Sequence, residues 1–162
     1  MMLPSYAVWI PTALVVAAAM ELWAMLLHGL VWHGPLLFLH ASHHDEKRGS
    51  FEWNDVLSAL HAPIAIALVL YGCRAAPGIV REACFGVGLG MTAFGFAYFI
   101  VHDGFVHGRL PVQFLSKYGY FQRLKTCHEA HHRRDARGPY GLFLGFWELA
   151  RARDRRLRGA SR

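Results

Sequence analysis

The 162-residue chain is 54% hydrophobic and only 17% charged, against roughly 25% charged in an ordinary soluble domain, and its length suits one domain rather than two. Charge is segregated: residues 1–108 carry 4 Lys+Arg and 7 Asp+Glu, whereas residues 109–162 carry 13 and 4, giving the net +6. An apolar front half and a basic back half point to a membrane as partner rather than nucleic acid, and no zinc-finger, RRM or heptad context surrounds the basic residues.

Tyr6–Leu27 is a 22-residue run with a single charge, Glu21; as a helix it would be about 33 Å long, enough to cross a bilayer core. The first twenty residues carry no charge, so the run lacks the basic start of a secretory leader and is expected to be retained. Residues 56–73 and 83–101 are two further candidate spans, separated by the turn Arg74-Ala75-Ala76-Pro77-Gly78. Asn54 and Asp55 stand where a helix start is capped. Gly86, Gly88 and Gly90, with Gly95 beyond them, offer a smooth face for close helix packing. Lys and Arg counts at the span ends predict an N-terminus outside, with the 44–55 loop and the C-terminal tail in the cytosol. Arg81 is expected to snorkel from the start of the third helix. Residues 142–162 begin Leu-Phe-Leu-Gly-Phe-Trp and carry five arginines between 151 and 158, as in a basic interfacial helix or a flexible tail. Cys73, Cys84 and Cys127, odd in number and without a C-x-x-C pair, read as free thiols. The chain is thus expected to be one all-α integral membrane domain, residues 1–162, with about three transmembrane helices and a cytosolic, helical, histidine-rich region.

Ten of the 11 histidines fall into four groups: His28-x4-His33, His40-x2-His43-His44, His102-x4-His107 and His128-x2-His131-His132. The second pair of groups repeats the first, so each half of the chain supplies five imidazoles. On an α-helix, residues three and four apart share a face. Residues five apart point about 140° away from each other, so the two x4 pairs must wrap around two sides or sit where the helix loosens. Gly29, Gly34-Pro35, Gly104 and Gly108 are placed to permit loosening. Ten imidazoles exceed the needs of one tetrahedral or octahedral ion, which predicts two metal ions, or one ion with further histidines around it. Asp103, beside His102, is a candidate acceptor for the outer N–H of a ligating imidazole, or else a solvated turn residue. Glu21, seven residues before His28 on the same helix face, is costly in a bilayer unless paired and is expected to support the site or the packing; Asn54 is a third candidate for such support. His61, alone in the second span, reads as a satisfied polar residue or an interfacial anchor.

The four groups, their order and the residues around them resemble the bacterial β-carotene 3-hydroxylases of the membrane fatty-acid-hydroxylase superfamily. Those surroundings are Gly49, Phe51-Glu52 and Asn54-Asp55; Gly90-Met91-Thr92 with Gly95; Tyr98-Phe99; and Val101-His102-Asp103-Gly104 followed by Val106-His107. The resemblance runs over about residues 21–146. It departs at Glu129, where a basic residue is expected, and at residues 141–146, which follow the family's Gly-Phe-Leu ending only loosely. It implies two iron ions held by His28, His33, His40, His43, His44, His102, His107, His128, His131 and His132, with O2 as co-substrate and electrons from a ferredoxin and its reductase. The implied reaction is hydroxylation at C3 of each β-ionone ring of a carotenoid, taking β-carotene through β-cryptoxanthin to zeaxanthin in a bacterial cytoplasmic membrane. The basic tail would then dock the acidic electron donor or adhere to lipid. Phe94, Tyr98, Phe99 and Phe105 are candidates for a polyene pocket, against lipid-facing or packing roles for each. The alternatives are another oxygenase or desaturase of the superfamily acting on a fatty acid, sterol or carotenoid, and a non-enzymatic haem or metal-binding membrane protein. A membrane zinc protease is a further rival, because His128-Glu129-Ala130-His131-His132 also reads as H-E-x-x-H, with Glu129 as general base.

Overall fold

Apolar runs too long to bury in so small a chain decide the architecture. A computed structural model describes residues 6–44, 51–133 and 138–151, and all regular structure among them is helical. Helix α1 (Tyr6–Leu27) continues through a π-helical turn, His28–Trp32, and is followed by α2 (Leu37–His44). Helices α3 (Asn54–Ala59) and α4 (Ala62–Arg74) follow, then α5 (Ile79–Tyr98), which continues as a π-helix over Phe99–Val106. A 3-10 turn at Gln113–Lys117 leads into α6 (Gly119–Arg133), and residues 145–151 form a last helix, α7. Among the described residues, three stretches are long and apolar enough to cross a membrane: Tyr6–Trp32, Asn54–Arg74 and Ile79–Val106. All three are longer than the sequence alone suggests: the first and third gain their π-helical segments, and the second takes in the residues from Asn54.

Helix α5 sits between α1 and α4, and its glycines explain why. A Cβ on Gly86 would stand 2.7 Å from the Trp9 carbonyl of α1, and one on Gly90 2.6 Å from the Ala13 carbonyl. Gly88 meets α4 instead, where a Cβ would lie 3.0 Å from the Ala65 carbonyl. Small residues in this stripe let backbones approach within dispersion range, which is the main attraction available to helices in lipid. The outer faces carry large apolar side chains such as Leu14, Val15, Leu22, Ile66 and Phe96, as a lipid-facing surface requires. Arg81 does not run free toward the headgroups: its Nε donates to the Gly72 carbonyl at 2.8 Å, closing the α4–α5 turn. At the start of α3 the Asp55 carboxylate accepts the Glu52 N–H at 2.9 Å, whereas the Asn54 side chain turns away from the cap toward α2. A small core of Val101, Phe105, Val106, Leu124 and Leu142 ties the end of α5 to α6 and to the residues before α7.

The stripe makes opposite predictions for two glycines of one helix. Gly90→Ala should lower the thermal midpoint, since overpacking against a backbone carbonyl costs about 1–3 kcal/mol. Gly95→Ala has open space at its Cβ and should raise the midpoint slightly through helix propensity; both are read by thermal unfolding in detergent.

Candidate metal centre

The x4 histidine pairs lie where the helices loosen. The His33 N–H bonds to the His28 carbonyl at 3.0 Å, and the His107 N–H bonds to the His102 carbonyl at 3.0 Å. These i→i+5 bonds bring residues five apart onto one side of the rod, in place of the 140° divergence of an α-helix. Helices α2 and α6 supply the other six imidazoles from single faces.

Two sets of four result, the candidate ligand atoms within each lying within 4.8 Å of one another: His28, His33, His40 and His131, and His43, His102, His107 and His128. The sets do not divide at the middle of the chain. The repeat pairs His43 with His131, and these two cross, each joining three histidines of the other half. His44 and His132 stand at the junction, their rings stacked at 4.5 Å. His44 Nε2 is 3.2 Å from His40 Nε2, and His132 Nε2 is 2.9 Å from His128 Nε2. All ten histidines singled out in the sequence therefore meet; His61 does not, and instead accepts the Trp23 indole N–H at 2.9 Å.

The nitrogens face one another in a way that calls for cations. The Nδ1–H of His28 donates to the Tyr140 carbonyl at 2.8 Å, and that of His40 to Asn54 Oδ1 at 2.7 Å. Each ring's Nε2 then carries only a lone pair, yet the two Nε2 atoms lie 3.0 Å apart. Two such acceptors repel unless a positive ion is shared, and about 3 Å is the spacing of adjacent nitrogens bound to one ion at about 2.1 Å. His33 and His131 Nε2 are 3.1 Å apart and His107 and His128 Nε2 are 3.0 Å apart, while the buried His43 Nε2 has no hydrogen-bond partner. Burial first, and then crowding by other imidazoles, holds His33 and His40 down to about 4, His132 to about 3 and His131 to about 2, and pushes His43 and His128 well down. These six donors are thus neutral near pH 7, as metal ligation requires. The residues fit two imidazole-bound ions.

The outer nitrogens are anchored by residues the sequence reading named only in part. Asp103 Oδ2 accepts from His102 Nδ1 at 3.3 Å, and Asn54 Oδ1 accepts from His40 Nδ1. Glu52, quoted only as flanking sequence, accepts from His43 Nδ1 at 3.1 Å. Tyr140 is held in turn, since its N–H and that of Gly141 donate to Glu148 at 3.0 and 2.7 Å. Glu21 acts on the same segment: its Oε1 accepts the Leu144 N–H at 2.9 Å. The left-handed turn at Gly108 (φ 70°) brings the Arg109 N–H back to the Asp103 carbonyl at 2.9 Å. The buried Glu52 and Asp103 carboxyls had a legible signal, acids beside clustered histidines; Tyr140 acts through its backbone and left none.

Beside the cluster lies a cavity of about 540 Å3, lined by Trp23, Leu27, Leu57, Met91, Phe94 and Gly95 among others, with Trp32, Tyr98 and Asp103 toward the histidines. The Tyr98 ring stacks on His102 at 4.9 Å. Phe94, Tyr98 and Phe99 line this space; Phe105 is not among its lining residues and packs in the core with Leu124 and Phe121. Glu129 is exposed on the outer face of α6 and pairs with Arg133 at 3.5 Å, so it is not aimed at the imidazoles as a protease base would be. The arginines of 153–162 lie outside the described residues.

A model of the fatty acid hydroxylase family matches residues 13–151, and the chain belongs to that family. It is 47% identical over 134 residues to the chloroplastic beta-carotene 3-hydroxylase of Gentiana lutea and 46% identical over 134 residues to beta-carotene hydroxylase 1 of Capsicum annuum, in each case over 82% of this chain and 42% of the relative. It is 38% identical over 127 residues to the beta-carotene hydroxylase of Pantoea ananas, over 76% of this chain and 70% of that protein. The chain thus spans less than half the length of the plant relatives. No solved structure matches it.

One stretch of α6 separates the metal-centre reading from metal-assisted hydrolysis. His131→Ala should release at least one of two bound metal ions, and Glu129→Gln should leave both in place, as measured by metal analysis of purified protein.

Proposed function

We propose that the chain hydroxylates C3 of the β-ionone rings of a carotenoid, converting β-carotene through β-cryptoxanthin to zeaxanthin, with two iron ions, O2 and electrons from an external donor such as a ferredoxin. The observation that carries this reading is the largely apolar cavity whose wall residues Tyr98 and Asp103 touch His102 of the imidazole cluster, taken together with what the relatives are named for. The two histidine sets would hold the ions, and iron bound there would supply the O2 activation that an unactivated C–H bond demands. One oxygen atom enters the substrate and the other leaves as water, consuming two electrons and two protons.

The chain's own residues do the rest. Trp23, Leu27, Leu57, Met91 and Phe94 give the hydrocarbon ring an apolar berth, and the missing side chain of Gly95 leaves width for it. A pocket of this size and lining favours an apolar ligand of drug-like bulk. Tyr98, stacked on His102, forms the wall between ring and cluster. The buried supports Glu52, Asn54, Asp103 and the Tyr140 carbonyl keep the imidazole lone pairs turned inward.

A β-carotene-accumulating host expressing the chain should form zeaxanthin and some β-cryptoxanthin by pigment analysis, and Gly95→Phe, which fills the cavity, should cut conversion at least tenfold without loss of folded protein. Unchanged β-carotene in cells holding folded, iron-loaded protein would refute the substrate assignment. The charge distribution supports a cytosolic cluster, so reporter fusions after Asp45 and after Arg162 should both read cytosolic; a split reading would break the three-span topology.

A further inference from the structure

The ligands obey the internal repeat, but their supports do not. In the first set, the outer nitrogens of His28 and His40 meet neutral oxygens, the Tyr140 carbonyl and the Asn54 amide, and Nδ1 of His33 and of His131 meets no partner. In the second set, His43 and His102 meet the carboxylates of Glu52 and Asp103. The repeat equates His43 with His131, so the same ligand position has a carboxylate in one set and nothing in the other. Both carboxylates also share one cation. The Arg109 guanidinium lies 2.7 Å from Glu52 Oε1 and 3.1 Å from Asp103 Oδ1, with Asp55 Oδ1 at 2.8 Å. Each acid thus gives one oxygen to Arg109 and the other to an imidazole, and the planar fork fixes both in place as a flexible ammonium would not.

A carboxylate on the far side of an imidazole raises its basicity and fixes its orientation, and such partners are worth about 10- to 100-fold in metal affinity. We propose that the two metal positions are inequivalent: the set of His43, His102, His107 and His128 holds its ion the more tightly, and Arg109 is a positioning residue for that set alone, acting through Glu52 and Asp103. This rests on the metal-binding reading above, deepens it, and is independent of which substrate is hydroxylated.

The test is metal release from the full chain in detergent, loaded with iron(II) and dialysed anaerobically against rising concentrations of an iron(II) chelator, with iron per chain as the readout. The wild type should lose one equivalent at about 10- to 100-fold lower chelator than the second. Glu52→Gln and Arg109→Gln should move the second step toward the first and leave the first in place. Asn54→Asp, which gives His40 a carboxylate, should do the reverse and tighten the first step. Release of both equivalents in one step from the wild type, or equal shifts of both steps in Glu52→Gln and Arg109→Gln, would overturn the inequivalence while leaving the hydroxylase reading standing. Failure to bind iron at all would overturn both.

Discussion

Mutual repulsion among converged lone pairs is the constraint on which this structure depends. Ten imidazoles are brought to one end of a helical bundle, several pairs of them with Nε2 atoms about 3 Å apart, and at His28 and His40 both lone pairs face each other. Nothing in ordinary core packing makes that favourable, because the buried His28 and His40 rings have been stripped of water and each is offered an acceptor where it needs a donor. A bound cation inverts the sign of every one of these contacts. The π-helical ends of the first and third spans, the two single-faced helices α2 and α6, and the acids that grip the outer nitrogens all act to hold the rings in this arrangement.

The supports show how a membrane domain with few polar residues uses them. Glu21, Glu52, Asn54 and Asp103 are all buried, and each has a backbone N–H, an imidazole or a guanidinium to meet. Unpaired, any of them would be expensive at the edge of a bilayer. Glu148 and Glu21 receive backbone N–H groups from the 140–144 segment, which holds that segment over the first histidine set. The cavity is left between this polar end and the lipid-facing rods, with Tyr98 belonging to both.

Much of this was legible in the sequence for reasons that are local. Hydrophobic runs set the spans, helical spacing put His40, His43 and His44 on one face, and the divergence of residues five apart left either a wrap around two sides or a loosened helix at His28 and His102. The unread parts are those fixed only by tertiary contact. That His43 and His131 trade places follows from how α2 and α6 face each other across the junction, which no spacing rule contains. Asn54 carries the same local signal whether it caps a helix or orients an imidazole, and only the approach of α2 decides. Phe94 and Phe105 are indistinguishable as aromatics in an apolar stretch; one faces the cavity and the other α6, because the π-helix rotates everything beyond Tyr98.

The crossing of His43 and His131 also fixes an order of assembly. Synthesis runs from the N-terminus, so His28, His33 and His40 are available early, yet their fourth partner lies on α6 and emerges near the end of the chain. The second set is in the same position, since His128 is made just before His131. Neither site can close around an ion while the ribosome is still adding the third span. The two halves are interlocked like clasped hands, and neither, severed from the other, would contain a complete binding site.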